Sequence, residues 1–419
     1  MIMDKEFYKN IFTMFTGTSA SQLIWIFTIP FLTRIFSADD FGIYQLFLST
    51  TSIIIIFSTA RYDLAVIVPE EKIKAISLML LPVIISLFCS LALIVMTNSL
   101  KKFFYLFDGI SLSSYVIYMP YYIMALAFYQ SLYMWFVREK YFKVISVGLI
   151  IFPILNLTFS YIFSTKFNID NPLIISTILA RYIEIVYFLF YFLKKNYMYI
   201  NKIKLQNLLI TAKEFKDFPQ YMIIGGFFDT MAAALPSYLL NIFFGTTITG
   251  YYSLANQCLN MPISLVSKSI GDVFKQGASK IYNKYHECKV FYYQNLKLLI
   301  KISIFISIII FIFAPFVFKV FFGNEWEQSG LYSRFLILLF FGGVISNPLS
   351  NMYILARAQK LYIKIQILML ISNFIALIIG FYIFDNIEIC LFLLGAFSFF
   401  VSCISIYFGK AIAEGHINV

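Results

Sequence analysis

Twelve apolar runs, each long enough to cross a bilayer core of roughly 30 Å, follow one another along this chain, and few folds can hold that many. They lie at about 11–36, 41–60, 75–97, 113–136, 144–164, 172–193, 221–244, 250–272, 291–317, 331–354, 365–384 and 388–409. Inside hydrocarbon every backbone polar group must pair within its own segment, so each run is predicted as a transmembrane helix. The first run is too long for a cleavable signal peptide and is expected to serve as its own insertion signal. Only 13% of the residues are charged, against about a quarter in a soluble domain. A net charge of +11 invites a nucleic-acid reading, but the basic residues are distributed otherwise. Even-numbered connections hold twenty Lys and Arg, and odd-numbered connections six. That asymmetry follows the positive-inside rule and places both termini and the long 194–220 connection in the cytoplasm. Membrane lipids are the expected surroundings, with no nucleic-acid partner.

The turn between the first two runs occurs twice. Phe36, Gly42, Tyr44 and Leu46 return as Phe244, Gly250, Tyr252 and Leu254, all at a shift of 208 residues. A second echo relates Tyr133 and Lys140 to Tyr353 and Lys360 at a shift of 220. Internal repeats of this kind are common in transporters. With six helices per half, the halves point the same way across the membrane. The expected fold is all-α and polytopic: twelve transmembrane helices in two parallel six-helix bundles, an N-terminal lobe (1–193), a cytoplasmic linker (194–220) and a C-terminal lobe (221–419).

Polar residues inside the runs are the candidates for chemistry. Gln45, Ser49, Ser52, Thr59 and Asp63 share one face of the second helix. The same shift gives Ser253, Gln257, Asn260 and Ser267 in the second half. Such stripes either line a hydrated cavity or glue neighbouring helices through hydrogen bonds. Each ionisable residue near a helix centre costs about 2.5–3.5 kcal/mol on insertion scales and so needs a reason. Arg181 and Glu184, at i and i+3, either neutralise each other or serve transport. Asp229 stands among small residues in the seventh helix and reads as a cavity carboxylate able to take a proton or cation. Arg34, Arg61, Lys268 and Arg334 lie near helix ends, where they either snorkel to the interface or face the path. Pro30 and Pro236 occupy nearly equivalent places and predict bends. Five scattered cysteines form no disulfide framework or metal spacing, His286 and His416 have no partner motif, and no phosphate-binding loop occurs. No catalytic residue, cofactor or metal is expected.

Several short motifs carry a resemblance. Thr33-Arg34-Ile35-Phe36 with Asp40-Phe41-Gly42-Ile43-Tyr44, Arg61-Tyr62-Asp63-Leu64-Ala65-Val66-Ile67-Val68-Pro69, Phe215-Lys216-Asp217-Phe218-Pro219, Gly250-Tyr251-Tyr252-Ser253-Leu254 and Gly323-Asn324-Glu325-Trp326 resemble the polysaccharide-synthesis flippase family. The resemblance implies the two-lobed exporter fold and an undecaprenyl-pyrophosphate-linked oligosaccharide, O-antigen or capsule, as the substrate moved across the bacterial inner membrane by alternating access. It implies a proton or sodium ion for coupling, with a polymerase and chain-length proteins as pathway partners. Arg34 resembles a cavity-facing arginine of the lipid II flippase, whose other first-helix arginines are missing here. The expected substrate-binding set is Arg34, Arg61, Arg181, Arg334, Gln45, Ser49, Ser52, Gln257, Asn260 and Lys268, and the expected coupling set is Asp229, Asp63 and Glu184. Rival readings are a drug or cation exporter of the same fold, the O-antigen polymerase, and a non-catalytic scaffold.

Overall fold

A computed structural model of the protein describes residues 21–108, 112–167, 169, 171–200, 204–285, 287–356 and 358–415. The described residues contain helices and no strand. Nine of their helices are long and apolar enough to cross a membrane. Three others complete the twelve: α1 (Ser21–Ile35), the aromatic α6 (Met119–Arg138) and the more polar α11 (Thr246–Tyr285). The protein is thus a polytopic all-α membrane protein; residues 11–20 of the first run lie outside the described residues. The chain divides into two compact units, Met1–Phe227 and Phe228–Val419.

Unit 1 holds α1, α2 (Ala38–Thr59), the single turn α3 (Tyr62–Ala65), α4 (Lys72–Val95), α5 (Thr97–Asp108), α6, α7 (Phe142–Lys166), α8 (Pro172–Ile200) and α9 (Leu205–Glu214). Its core joins α4, α6 and α8 through Met79, Trp135, Phe136, Phe188 and Phe192. Trp135 meets Phe192 edge-on at 5.4 Å between centroids, and Phe136 meets Phe188 likewise at 5.2 Å. Edge-to-face geometry suits the ring quadrupoles. The helix α10 (Ile223–Phe244) begins in unit 1 and continues into unit 2.

Unit 2 adds α11, α12 (Lys289–Phe322), α13 (Glu327–Phe335), α14 (Ile337–Leu349), α15 (Asn351–Leu355), α16 (Gln359–Phe384) and α17 (Ile387–Ala413). Tyr332, Phe340, Leu377 and Leu391 form one core and Phe274, Tyr292 and Tyr353 another. Phe305, Phe311, Phe313 and Phe316 on α12 are exposed, a lipid-facing surface for a span whose backbone is satisfied internally.

Two expected boundaries are corrected. The eighth run does not stop at 272: α11 has 40 residues, ~60 Å at 1.5 Å per residue, twice a bilayer core. Its polar second half extends beyond the apolar span. The run 331–354 is three helices rather than one. Pro348 removes a donor near the second break, and Ser350 Oγ and Asn351 Nδ2 donate to the carbonyls of Asn347 (2.7 Å) and Pro348 (3.0 Å).

Candidate functional site

The repeated turn is a helix start in both halves. Ser37 caps α2: its hydroxyl accepts from the Asp40 amide at 3.3 Å, while Asp40 Oδ2 accepts from the Ser37 amide at 3.0 Å. In the second half Gly245, at φ 86°, takes the left-handed turn before α11. The polar stripe of α2 is largely turned onto its own helix. Gln45 Nε2 donates to Ser49 Oγ at 3.2 Å, and Ser52 Oγ donates to the Ser49 carbonyl at 2.7 Å. Ser49 is buried and the other two are half-buried.

Behind α2, unit 1 closes a polar network. Tyr44 Oη and Thr177 Oγ1 lie 2.9 Å apart; Asn156 Nδ2 donates to Thr177 Oγ1 at 3.0 Å, and Ser160 Oγ to Asn156 Oδ1 at 3.2 Å. Arg181 pairs with Glu184 in a direct salt bridge. The guanidinium carbon lies 3.8 Å from the Phe152 ring centroid and 4.1 Å from that of Tyr129. Glu184 is fully buried, and its Oε1 has no hydrogen-bond partner. The two side chains pair with each other, and cation–π contact with both rings holds the guanidinium as well.

Arg61 and Asp63 sit where α2 ends. Ala60 and Arg61 both take left-handed conformations, φ 47° and 56°, costs of order 1–3 kcal/mol each for non-glycine residues. The guanidinium lies against the bare backbone of α10 at Gly226, where a Cβ would come within 2.5 Å of Nη2. Arg61 Nε and Asp63 Oδ1 are buried without a hydrogen-bond partner. Burial pushes the Asp63 carboxyl above its ordinary range, and the Arg61 charge and hydrogen bonds offset part of that.

The other cations separate. Arg34 is exposed at the end of α1, and Lys268 is exposed on α11. Arg334, half-buried, hydrogen-bonds to α12. Pro315 cannot donate to the carbonyl four residues earlier, Phe311, and Arg334 Nε supplies that bond at 2.6 Å while Nη2 donates to Ile312 at 3.0 Å. Arg181 pairs with Glu184 inside the bundle.

Unit 2 opens where unit 1 closes. A cavity of about 250 Å³ is lined from α10 by Asp229, Ala232, Ala233 and Pro236, from α11 by Tyr252, Asn256, Asn260 and Ile263, from α14 by Leu339, Gly343, Ser346 and Asn347, from α16 by Gln366, Met369 and Asn373, and from α17 by Ser398 and Ser402. Asp229, Ala233, Asn260 and Asn347 are exposed and form its mouth; Asn373, Ser398 and Ser402 are buried. Asn373 is fixed at both ends. Its Nδ2 donates at 3.1 Å to the Ala232 carbonyl, which Pro236 leaves without its helical donor, and its Oδ1 accepts from Ser398 Oγ at 3.0 Å. The expected residues Asp229 and Asn260 meet here, while Gln257 on the same helix is half-buried outside the lining. Sequence reasoning missed Asn256, Ser346, Asn347, Gln366, Asn373, Ser398 and Ser402. The available signal was spacing: 366, 369 and 373, and 398 and 402, each repeat at helical intervals inside apolar runs.

Residues 31–330 match the polysaccharide biosynthesis protein family. No curated protein matches the chain. Solved structures are similar over nearly its whole length. One is the inward-facing conformation of a MATE-family multidrug resistance transporter of the MOP superfamily: TM-score 0.75, 11% identity, covering 95% of this chain and 93% of that one. Another is the lipid II flippase MurJ in an inward closed conformation: TM-score 0.72, 14% identity, covering 94% and 86%. A MOP-superfamily transporter from Pyrococcus furiosus, described by the reverse polarity of its binding pocket, has TM-score 0.63 at 12% identity, covering 96% and 95%. At such identities the likeness establishes the fold.

Proposed function

The chain belongs to the polysaccharide biosynthesis protein family, and from that premise we propose that it is a flippase for lipid-linked oligosaccharides. Its substrate is an undecaprenyl-pyrophosphate-linked O-antigen or capsule unit, carried across the bacterial inner membrane by alternating access. The observation that supports this best is the cavity of unit 2, walled by carboxamides and hydroxyls inside an apolar bundle. A drug-exporter site would favour aromatic walls around its carboxylate, and Tyr252 is the one aromatic among the described residues of this lining.

The polyprenyl tail stays in lipid while sugars and pyrophosphate need a polar path. Arg34 and Arg61 are the pyrophosphate residues of this reading, because a guanidinium holds two phosphate oxygens through parallel hydrogen bonds where lysine offers a point charge. Gln45, Ser52, Gln257, Asn260 and Lys268 border the sugar path, with Ser49 buried behind Gln45 as the acceptor of its amide. Asp229, the one carboxylate among the described residues of the cavity lining, is the coupling residue for a proton or sodium ion. Both termini lie in the cytoplasm, and a polymerase and chain-length proteins receive the product.

Deletion tests the function: lipid-linked units should accumulate on the cytoplasmic leaflet, and their absence there would overturn the reading. Arg34→Ala tests the anion site. Losing a desolvated charged contact costs a few kcal/mol, roughly 10²-fold in binding. Surface glycan should disappear in Arg34→Ala and return in part in Arg34→Lys, with both proteins inserted normally. Full display by Arg34→Ala at native abundance would move the anion site to Arg61.

A further inference from the structure

We propose that Lys297 and Lys301 of α12, with Lys410 of α17, hold the phosphate of an anionic phospholipid, whose acyl chains lie on the apolar stripe beneath them. The site faces the surrounding membrane and is independent of the substrate carried. Every residue of α12 and α17 is described. The apolar run 291–317 contains both α12 lysines, and an ionisable residue within a span needs a reason. Lys297 and Lys301, one helical turn apart, are exposed and form no ion pair with a described residue. The other end of α12 differs, because Lys319 Nζ meets Glu327 Oε2 at 2.8 Å. Lys410 joins the pair from α17. Its Nζ lies 5.4 Å from the ring centroid of Tyr293, one turn before Lys297. Glu414 pairs with Lys289 at 3.1 Å. With Glu287 and Glu414 set against Lys289, Lys297, Lys301 and Lys410, the described charges at this end stay positive.

The depth of the pair fits a headgroup. From Lys301 to Lys319 the helix rises ~27 Å at about 1.5 Å per residue, close to the roughly 30 Å of a hydrocarbon core, and no charged residue intervenes. Ile304, Ile308 and Ile312 continue the face of the two lysines at steps of three and four, with Phe305 beside them, and all four are exposed. Cations above an apolar stripe match the two parts of a phospholipid. A free phosphate would leave the stripe unused, and a zwitterionic lipid would bring its own ammonium against the lysines.

The test uses the purified full chain in nanodiscs of phosphatidylethanolamine doped with a photoreactive phosphatidylglycerol, its diazirine placed near the glycerol. After illumination, peptide mapping reads the label on residues 297–312, and a photoreactive phosphatidylethanolamine with the same chains is the comparison. The expected result is roughly tenfold more label from phosphatidylglycerol. Lys297→Gln with Lys301→Gln should abolish that preference. At about 1 kcal/mol per lysine near an anionic surface, the pair is worth roughly thirtyfold in affinity. Lys297→Arg with Lys301→Arg should keep the preference, as should Lys275→Gln at an exposed lysine of α11. Equal labelling of the native protein by the two lipids, or a preference that survives the double glutamine variant, would overturn the site. Loss of label on adding excess inorganic phosphate would assign the lysines to free phosphate. Loss on adding undecaprenyl pyrophosphate in equal amount would assign them to the carried lipid. Either result would overturn the phospholipid.

Discussion

Tyr44 and Tyr252 hold equivalent places in the two halves of the sequence, and the structure uses them in opposite ways. The Tyr44 hydroxyl pairs with Thr177 at 2.9 Å and leads through Asn156 to Ser160, beside the buried Arg181–Glu184 pair. Tyr252 lines the open cavity of unit 2 with Asn256 and Asn260 on its own helix. A polar group in an apolar bundle must be satisfied by its neighbours or by something that enters. Unit 1 takes largely the first course and unit 2 leaves room for the second. A duplicated sequence therefore supplies one polar closure and one polar opening, and charges in the two should answer differently to removal.

The largest difference is expected between Glu184 and Asp229. Glu184→Leu leaves the Arg181 guanidinium buried without its partner, which costs about 3–5 kcal/mol and should collapse the yield of folded protein in the membrane. The double variant Arg181→Met with Glu184→Leu should recover that yield, because it removes both charges together. Asp229→Asn should leave abundance and thermal midpoint near the native ones, since the residue is exposed at the cavity mouth, while slowing transport and flattening its pH dependence. A well-folded, inactive Glu184→Leu would break the comparison and return that carboxylate to the coupling set.

A middle effect is expected at Asn373, the amide of the open cavity that also holds structure. Asn373→Ala leaves the Ala232 carbonyl and the Ser398 hydroxyl without their partner, about 1–3 kcal/mol for a buried unsatisfied group. The thermal midpoint in detergent should fall accordingly, whereas Asn260→Ala at the mouth should hardly move it. Equal shifts in the two variants would show that Asn373 holds no more structure than the mouth residue.

Much of this was legible in the residues. Length and apolarity mark the crossing helices because hydrocarbon leaves the backbone no alternative. The 208-residue echo marks equivalent helix starts, and the i, i+3 spacing of Arg181 and Glu184 marks a pair. What periodicity cannot supply is the partner of a face, since a polar stripe reads the same whether it meets a helix or a cavity. Hence Asn260 and Ser49 looked alike, although Asn260 borders open space and Ser49 is buried. Proline held a signal that went unread. A proline inside a helix frees the carbonyl four residues before it, and two such carbonyls, at Ala232 and Phe311, recruit Asn373 and Arg334. The sequence shows the charge of Arg334 and not the carbonyls that it meets on α12.

Asp63 belongs to neither pattern, and its effect should be the smallest. It lies between α2 and α4, almost fully buried, with Oδ1 unpaired and the Arg61 charge nearby. Burial raises its folded pKa above the ordinary value of 3.8, so the folded protein holds this proton over a pH range where the unfolded chain has lost it. Where the folded state binds more protons, stability falls as pH rises. The contribution is therefore fully present below the ordinary carboxylate pKa and is lost as pH climbs through the raised one. Asp63→Asn keeps the size and removes the titration. Thermal unfolding in detergent from pH 4 upward should show a downward slope in the native protein that the variant lacks, with the variant the more stable of the two at neutral pH. A variant that keeps the slope, or that is the less stable at neutral pH, would mean that Arg61 pairs with the ionised carboxylate strongly enough to outweigh burial, and would move Asp63 to the closed pattern of Arg181 and Glu184.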